Sequence, residues 1–315
     1  MNSFGTHFRL TTYGESHGSA IGGVIDGCPA GMSLDLTSIK HHLARRRGDG
    51  INGVTSRQEP DNVEFLSGIY EGRTLGTPIA FVIKNEDCRS EDYAELKDWC
   101  RPGHADYTYM ARFGVRDPRG GGRASGRETA ARVVAGSIAR QILSEKNIAI
   151  DAHAILPDHI DTGETYGGIV SCQINGVPKG FGNPIFDKLN ARLAHAMMSI
   201  PSAIGFEMGI GFQAAQMTGH QFVDQWNDTP SPLTRTNHCG GIQGGISNGM
   251  PISFRTAFHA VPTQQGETAC LNVSGEQKKI SIKGRHDHCH VRRLPVIVES
   301  MAALVLVDFF LEHHE

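Results

Sequence analysis

The spacing of apolar and polar positions along this chain changes period repeatedly, and each change marks an element. Short alternating or continuous apolar runs at 8–12, 20–25, 63–66 and 78–84 predict strands, as do 148–154, 168–175, 205–212 and 252–258. Over 35–47 the period is helical, with Ile39 and Leu43 on one face and Asp35 or Thr37 as cap. Over 125–144 it aligns Ala130, Val133, Val134, Ile138 and Ile142 behind Ser125 as N-cap. A third helix is expected to open at Asn183-Pro184, carry Ile185, Leu189, Leu193 and Met197 on one face, and stop before Pro201. Ser90 caps another through Trp99, which must end before Pro102. The one long apolar run, 294–311, is interrupted by Glu299 and Asp308. A membrane span needs about 20 mainly apolar residues and tolerates such carboxylates poorly, so a helix in the core or at a subunit interface is expected. Strands and helices interleave without a βαβ rhythm or a repeat, which predicts a single α+β domain over 1–315.

Composition narrows the function. The chain has 315 residues and a net charge of −3, so nothing in its overall charge suggests a general nucleic-acid binder. Its basic residues cluster instead, at Arg45-Arg46-Arg47, at 119–127, at Arg285 and at Arg292-Arg293. Clusters within a nearly neutral chain suit a small polyanionic ligand. Seven scattered cysteines with no CxxC pair read as reduced thiols of a cytoplasmic protein, and 1–6 is not read as a signal peptide.

The richest motif is Arg119-Gly120-Gly121-Gly122-Arg123-Ala124-Ser125-Gly126-Arg127-Glu128, immediately before a predicted helix. Glycines allow close backbone approach, and a helix start directs free N–H groups at an anion. Arg119, Arg123 and Arg127 would reinforce that site; the plainer alternative is a turn with solvated arginines. Gly14-Glu15-Ser16-His17-Gly18 and Arg101-Pro102-Gly103-His104 each present a histidine suited to proton transfer near neutral pH, or an ordinary loop histidine. The glycine-dense 240–249 reads either as a backbone surface for a planar ring or as tight strand packing. In Gly284-Arg285-His286-Asp287-His288-Cys289-His290 an extended backbone would send alternate side chains to opposite faces, and no second ligand cluster has zinc-like spacing. No metal site is assigned. Of the triple arginine, at most one or two can face one ligand, because a helix turns about 100° per residue.

Taken together, 14–18 with Asp26-Gly27-Cys28-Pro29, then 101–109, 119–128, 240–249 and 284–287 with Glu299 beyond, resemble the chorismate synthase family in order and spacing over nearly the whole chain. The resemblance implies a β-α-β sandwich, described as two antiparallel sheets between helical layers, and a homotetramer. It implies a lyase of the shikimate pathway that converts 5-enolpyruvylshikimate 3-phosphate to chorismate and phosphate by 1,4-anti elimination with reduced FMN. By resemblance His17 protonates the departing phosphate, His104 protonates or stabilises the reduced flavin, and Asp287 assists removal of the C6 proton. Arg123, Ala124, Ser125, Pro201, Ser202, Gly244, Arg285 and the stretch His259-Ala260-Val261-Pro262-Thr263 match flavin contacts. Arg46, Arg101, Arg127 and Arg293 match positions that hold substrate anions, and Arg46 also a position used toward NADP.

This chain departs from the family at several places. The family's second arginine after the triple arginine is Asn52, its flavin-contact lysine is His259, and its proline after Arg-His-Asp is His288. A helical insert before Gly163-Glu164-Thr165-Tyr166-Gly167 is absent. Two rival classes follow: a flavin- or anion-binding protein of this fold without turnover, and a nucleic-acid-binding module. With no room for a reductase domain, an external flavin reductase is the expected partner, with NADPH as the alternative reductant source.

Overall fold

The computed structural model describes all residues except 50–58, 89, 159–163, 230, 263–265, 282–286 and 313–315. Asn52, Thr263, Arg285 and Gly163 lie outside the described residues. The chain begins with Ser3–Phe4 (β1), Arg9–Tyr13 (β2), Ala20–Asp26 (β3), helix Leu36–Arg47 (α1), Val63–Phe65 (β4), a small hairpin of Ile69–Tyr70 (β5) and Arg73–Thr74 (β6), and Ile79–Lys84 (β7). It continues through Asp106–Phe113 (α2), Thr129–Ser144 (α3), Ala149–Ile155 (β8), Gly168–Asn175 (β9), Leu189–Met198 (α4) and Ala203–Met208 (β10). Then follow Gly219–Phe222 (α5), Ile242–Gln243 (β11), Ile246–Ser247 (β12), Ile252–Phe258 (β13), Glu267–Leu271 (β14), Gln277–Ser281 (β15) and Pro295–Glu312 (α6).

Two antiparallel sheets result, in the orders β1-β2-β3-β7-β4 and β10-β13-β9-β8. Their strands bury alternate positions, as the period of two requires; in β13 Ile252, Phe254, Thr256 and Phe258 all point inward. The helices form the inner layer. Helix α3 touches β2 and β3 of the first sheet and β8 of the second, and packs along α6, which lies on β8 and β9. Helix α6 is buried continuously from Val296 to Phe309, as expected of a helix apolar on every side. The α+β class and both antiparallel sheets are as expected, but the expected placing of the sheets between helical layers is corrected: α3 and α6 lie between the two sheets, because their apolar faces are covered from both sides.

The two carboxylates within α6 are satisfied by distant partners. Glu299 receives Arg45 at 2.7 and 2.8 Å, Arg140, and the Ala152 N–H at 3.1 Å. Asp308 receives the N–H groups of Thr6, His7 and Phe8 and the Arg192 guanidinium. No helix among the described residues is long and apolar enough to cross a membrane.

Four local expectations are corrected. The helix expected from Asn183 starts at Leu189, because Ile185 adopts φ 66° and stands 67 % exposed; Leu189, Leu193 and Met197 do share a buried face. The segment after Ser90 is a 3-10 turn ending at Leu96. The strand expected over 205–212 ends at Met208, where Gly209 turns the chain with φ 54°. Ser125 caps a 3-10 turn, Gly126–Glu128, and the α-helix proper begins at Thr129. Helix α2 and the β14–β15 hairpin carry no strong period in the sequence. Cys270 and Ile280 of that hairpin form a small second core with Leu96, Tyr93 and Trp99, beside the main one.

Candidate active site

A cleft of about 1120 Å³ opens where the glycine-rich loop, the start of α2, the end of α4 and the turn before α6 converge. Its wall includes His104, Arg123, Ala124, Ser125, Pro201 and Ser202. His259, Val261, Pro262, Asp287 and Arg293 line it as well, and so do Arg46 and Arg101. Segments up to about 250 residues apart in sequence thus share one wall.

The loop glycines serve a specific packing. Gly120 has φ 82°, and a Cβ there would stand 2.4 Å from His17 Nδ1. Bare backbone lets the His17 ring press behind the loop, so Gly120 allows approach of a catalytic candidate as well as of a ligand. His17 itself contacts Ser16 Oγ through Nδ1 at 3.1 Å and meets Tyr93 edge-on at 5.1 Å. It is not among the lining residues, but Gly120 and Tyr93, which cover it, are. His104 stands on the turn that feeds α2, where Gly103 lies so close to Pro262 that a Cβ would approach it to 2.6 Å.

The arginines disperse more than the sequence implies. Arg119 is exposed and pairs with Asp117 at 2.9 Å; Arg127 turns into the interior and pairs with Asp61. Only Arg123 of the three lines the cleft, donating to Thr12 Oγ1 at 2.6 Å and Gly14 O at 3.3 Å. The expectation of three arginines around one anion at this loop is therefore corrected: successive turns of the chain aim them at three different partners. Of the triple arginine, Arg45 goes to Glu299 and Arg47 to Asp49, while Arg46 alone borders the cleft, as the 100° rotation requires.

Carboxylates already hold most of the cleft arginines. Arg46 pairs with Asp61 at 2.7 Å and retains a buried Nε with no hydrogen-bond partner. Arg101 grips Asp106 through Nε at 2.8 Å and Nη2 at 3.0 Å and lies over the Tyr93 ring. Arg293 pairs with Asp287. Burial by itself would raise the Asp61 carboxyl, but the charges of Arg46 and Arg127 outweigh it and hold it below the ordinary carboxylate range. Asp106 behaves alike, with Arg101 and then Arg116 overcoming burial. Among the described lining residues six arginines face four carboxylates, so the wall is net positive in a net negative chain.

Some expected contacts stand apart. Gly244 is at the tip of the β11–β12 hairpin, and Ala260 is likewise not among the lining residues. Among the described residues no group of three metal-ligating side chains converges. Sequence reasoning missed Asp61, Asp106, Arg132 and His290. Asp106 sits five residues after Arg101 and could have been noticed as its partner. Asp61 lies 66 residues from Arg127, and no local pattern signals that pairing.

Fold and cleft together fit an enzyme acting on a small, anionic ligand. The comparisons make the class specific: the family model for chorismate synthase matches residues 8–156 and 153–311, and the chain belongs to the chorismate synthase family. The two matched stretches overlap at 153–156, shortly before the place where the sequence lacks the insert. A chorismate synthase of Christiangramia forsetii is 49% identical over 348 aligned positions, covering 99% of this chain and 98% of its own. One of Parabacteroides distasonis is 45% identical, with 99% and 98% covered. Those 348 positions exceed the 315 residues here, so the relative carries segments this chain lacks. A solved chorismate synthase structure superimposes with a TM-score of 0.76 at 28% identity, covering 98% of this chain and 93% of that one.

Proposed function

We infer that this chain is the chorismate-forming lyase of the shikimate pathway: it converts 5-enolpyruvylshikimate 3-phosphate to chorismate and phosphate by 1,4-anti elimination. The observation that carries the reading is that His104, Ser125 and Asp287 line one cleft with an excess of arginine, and His17 packs directly behind its Gly120 wall. A substrate with two carboxylates and a phosphate suits such a wall, because arginine forks bind these groups bidentately.

Reduced FMN is the cofactor of this proposal, and the cleft suits it. Single-ligand pockets run to about 1000 Å³, so this one has room for a flat ring beside a substrate. The Gly120–Gly122 main chain lines the cleft while packing closely on His17, Ser125 and Glu15, and the unpartnered Arg46 Nε is a donor suited to an anion. When bound, reduced FMN supplies electron density that offsets the electron demand at the allylic carbon. Arg46, Arg101, Arg123 and Arg293 hold the substrate anions; Arg127 joins them only if Asp61 yields it. Loss of phosphate builds negative charge that these cations stabilise while His17 delivers a proton to the leaving oxygen. His104 holds a proton against the ring. Asp287, oriented by Arg293, assists removal of the C6 proton. Arg123, Ala124, Ser125, Pro201, Ser202, His259, Val261 and Pro262, which line the cleft, would hold the flavin.

The assembly belongs to the same proposal: a homotetramer in the cytoplasm, with flavin reduced by a separate reductase and NADPH as the alternative source through Arg46. An anaerobic assay with photoreduced FMN and the enolpyruvyl substrate tests the reading; chorismate and phosphate are expected in equal amounts. Bound FMN and substrate without product would mean a binding protein. Stoichiometric flavin reduction by NADPH with this chain alone would remove the external reductase.

A further inference from the structure

The segment before α6 contains a histidine that the mechanism above does not use. His290 is 9 % exposed, lines the cleft, and contacts Ser202 Oγ through Nε2 at 2.6 Å. Its Nδ1 is buried and has no hydrogen-bond partner. Ser202 is one of the few non-glycine residues with positive φ, at 69°, a strained conformation that its surroundings must impose. Three segments meet there: the Pro201–Ser202 corner, the turn of His290, and the His259 backbone, whose N–H donates to Ser202 O at 3.0 Å.

We propose that His290 is a positioning residue: in its Nε2–H tautomer it clamps the Ser202 hydroxyl and so holds the Pro201–Ser202 corner in the shape that meets the flavin. The tautomer follows from two observations. The Ser202 hydroxyl donates to Pro201 O, so its oxygen must accept from His290. A proton on Nδ1 would be a buried donor without an acceptor, the costlier kind of orphan. Burial also pushes the imidazole pKa down to about 4, against the opposing pull of Asp287, so the ring stays neutral. The flavin clause rests on the proposed function; the clamp itself does not.

The test combines His290→Leu, His290→Gln, Ser202→Ala and the double variant His290→Leu/Ser202→Ala. Readouts are the FMN dissociation constant from fluorescence quenching and the visible circular dichroism of bound FMN. Losing the clamp bond should weaken FMN binding about tenfold in His290→Leu and alter the dichroism. Gln restores a donor near the Nε2 position and should return binding to within about threefold of the parent. The double variant should bind no worse than the poorer single one, since both break one interaction. Parent-like binding and dichroism in His290→Leu, no recovery with Gln, or additive losses would each overturn the proposal. ¹⁵N imidazole spectra of the ligand-free parent at pH 7 should report Nε2–H; an Nδ1–H or imidazolium form sinks the clamp whatever the flavin does. If the parent binds no FMN, the cofactor assignment fails, and the spectra alone then decide the clamp.

Discussion

Two arginine–carboxylate knots in this molecule use the same parts for different ends. At one, Arg45 and Arg140 converge on Glu299 inside the helical layer, with the Ala152 N–H completing its ligands. At the other, Arg46 and Arg127 converge on Asp61, and Arg46 borders the cleft and keeps a buried Nε unmatched. Both carboxylates are essentially inaccessible. The first knot is closed: every strong group is paired, and it joins α1, α3, α6 and β8. The second is open on one side, which is what a ligand requires. Adjacent residues of one helix, Arg45 and Arg46, therefore serve opposite purposes, and side-chain direction alone separates them.

The comparison can be broken in several ways. His17→Ala should lower turnover about 10²- to 10⁴-fold, the usual worth of a positioned acid, with flavin affinity and unfolding midpoint retained. Normal turnover removes His17 from the acid role. Glu299→Ala should do the reverse. It leaves Arg45 and Arg140, both partly exposed, without their counter-ion and the Ala152 N–H without its acceptor, and should cost about 3 kcal/mol in urea unfolding, with turnover per folded molecule retained. Asp61→Asn keeps one acceptor oxygen but turns an amide NH2 toward the other arginine, and should cost about 1–3 kcal/mol. Because it also frees Arg46 and Arg127, it should shift substrate KM, an effect Glu299→Gln should lack. If both variants move KM alike, the two knots do not differ as argued.

Acid should probe the interior further. Burial pushes His42 and His290 down to about 4, so both are neutral when folded while the unfolded chain titrates near 6.5. Between those values the unfolded state binds more protons. Stability is therefore whole above pH 6.5 and falls as pH drops toward 4, by up to about 1.4 kcal/mol per pH unit for each histidine. Urea midpoints at pH 7 and pH 5 should show the loss, and His42→Gln should flatten it. An unchanged slope in that variant would remove His42 from the account. The smallest effect is expected at Arg119→Ala. Its charge is exposed and paired only with nearby Asp117, so turnover and midpoint should stay at parent values.

Much of the fold was legible because it follows from local period. Apart from β1, the strands of both sheets and the helices around Ile39, Val134 and Leu193 appear in the alternation of apolar residues. The apolar 294–311 run was recognisable as a core helix, since Glu299 and Asp308 excluded a membrane. Helix α2 was not legible: only Asp106 is buried on it, and exposed elements carry no apolar stripe. The break at Ile185 was also hidden, because left-handed backbone at a β-branched residue has no sequence signal.

The cleft divides along the same line. His17, His104, Arg123 and Asp287 stood out because glycine and arginine motifs surround them, and the family resemblance attached roles to them. The sequence by itself determined which segments form strands and helices, that the charges cluster, and to which family the chain belongs. Only the tertiary structure decided which arginine meets which carboxylate, that Arg127 turns inward to Asp61, and that His290 meets Ser202. Those pairings depend on distance through space between residues 15 to 254 positions apart, and such distances are set by packing two sheets around one layer of helices.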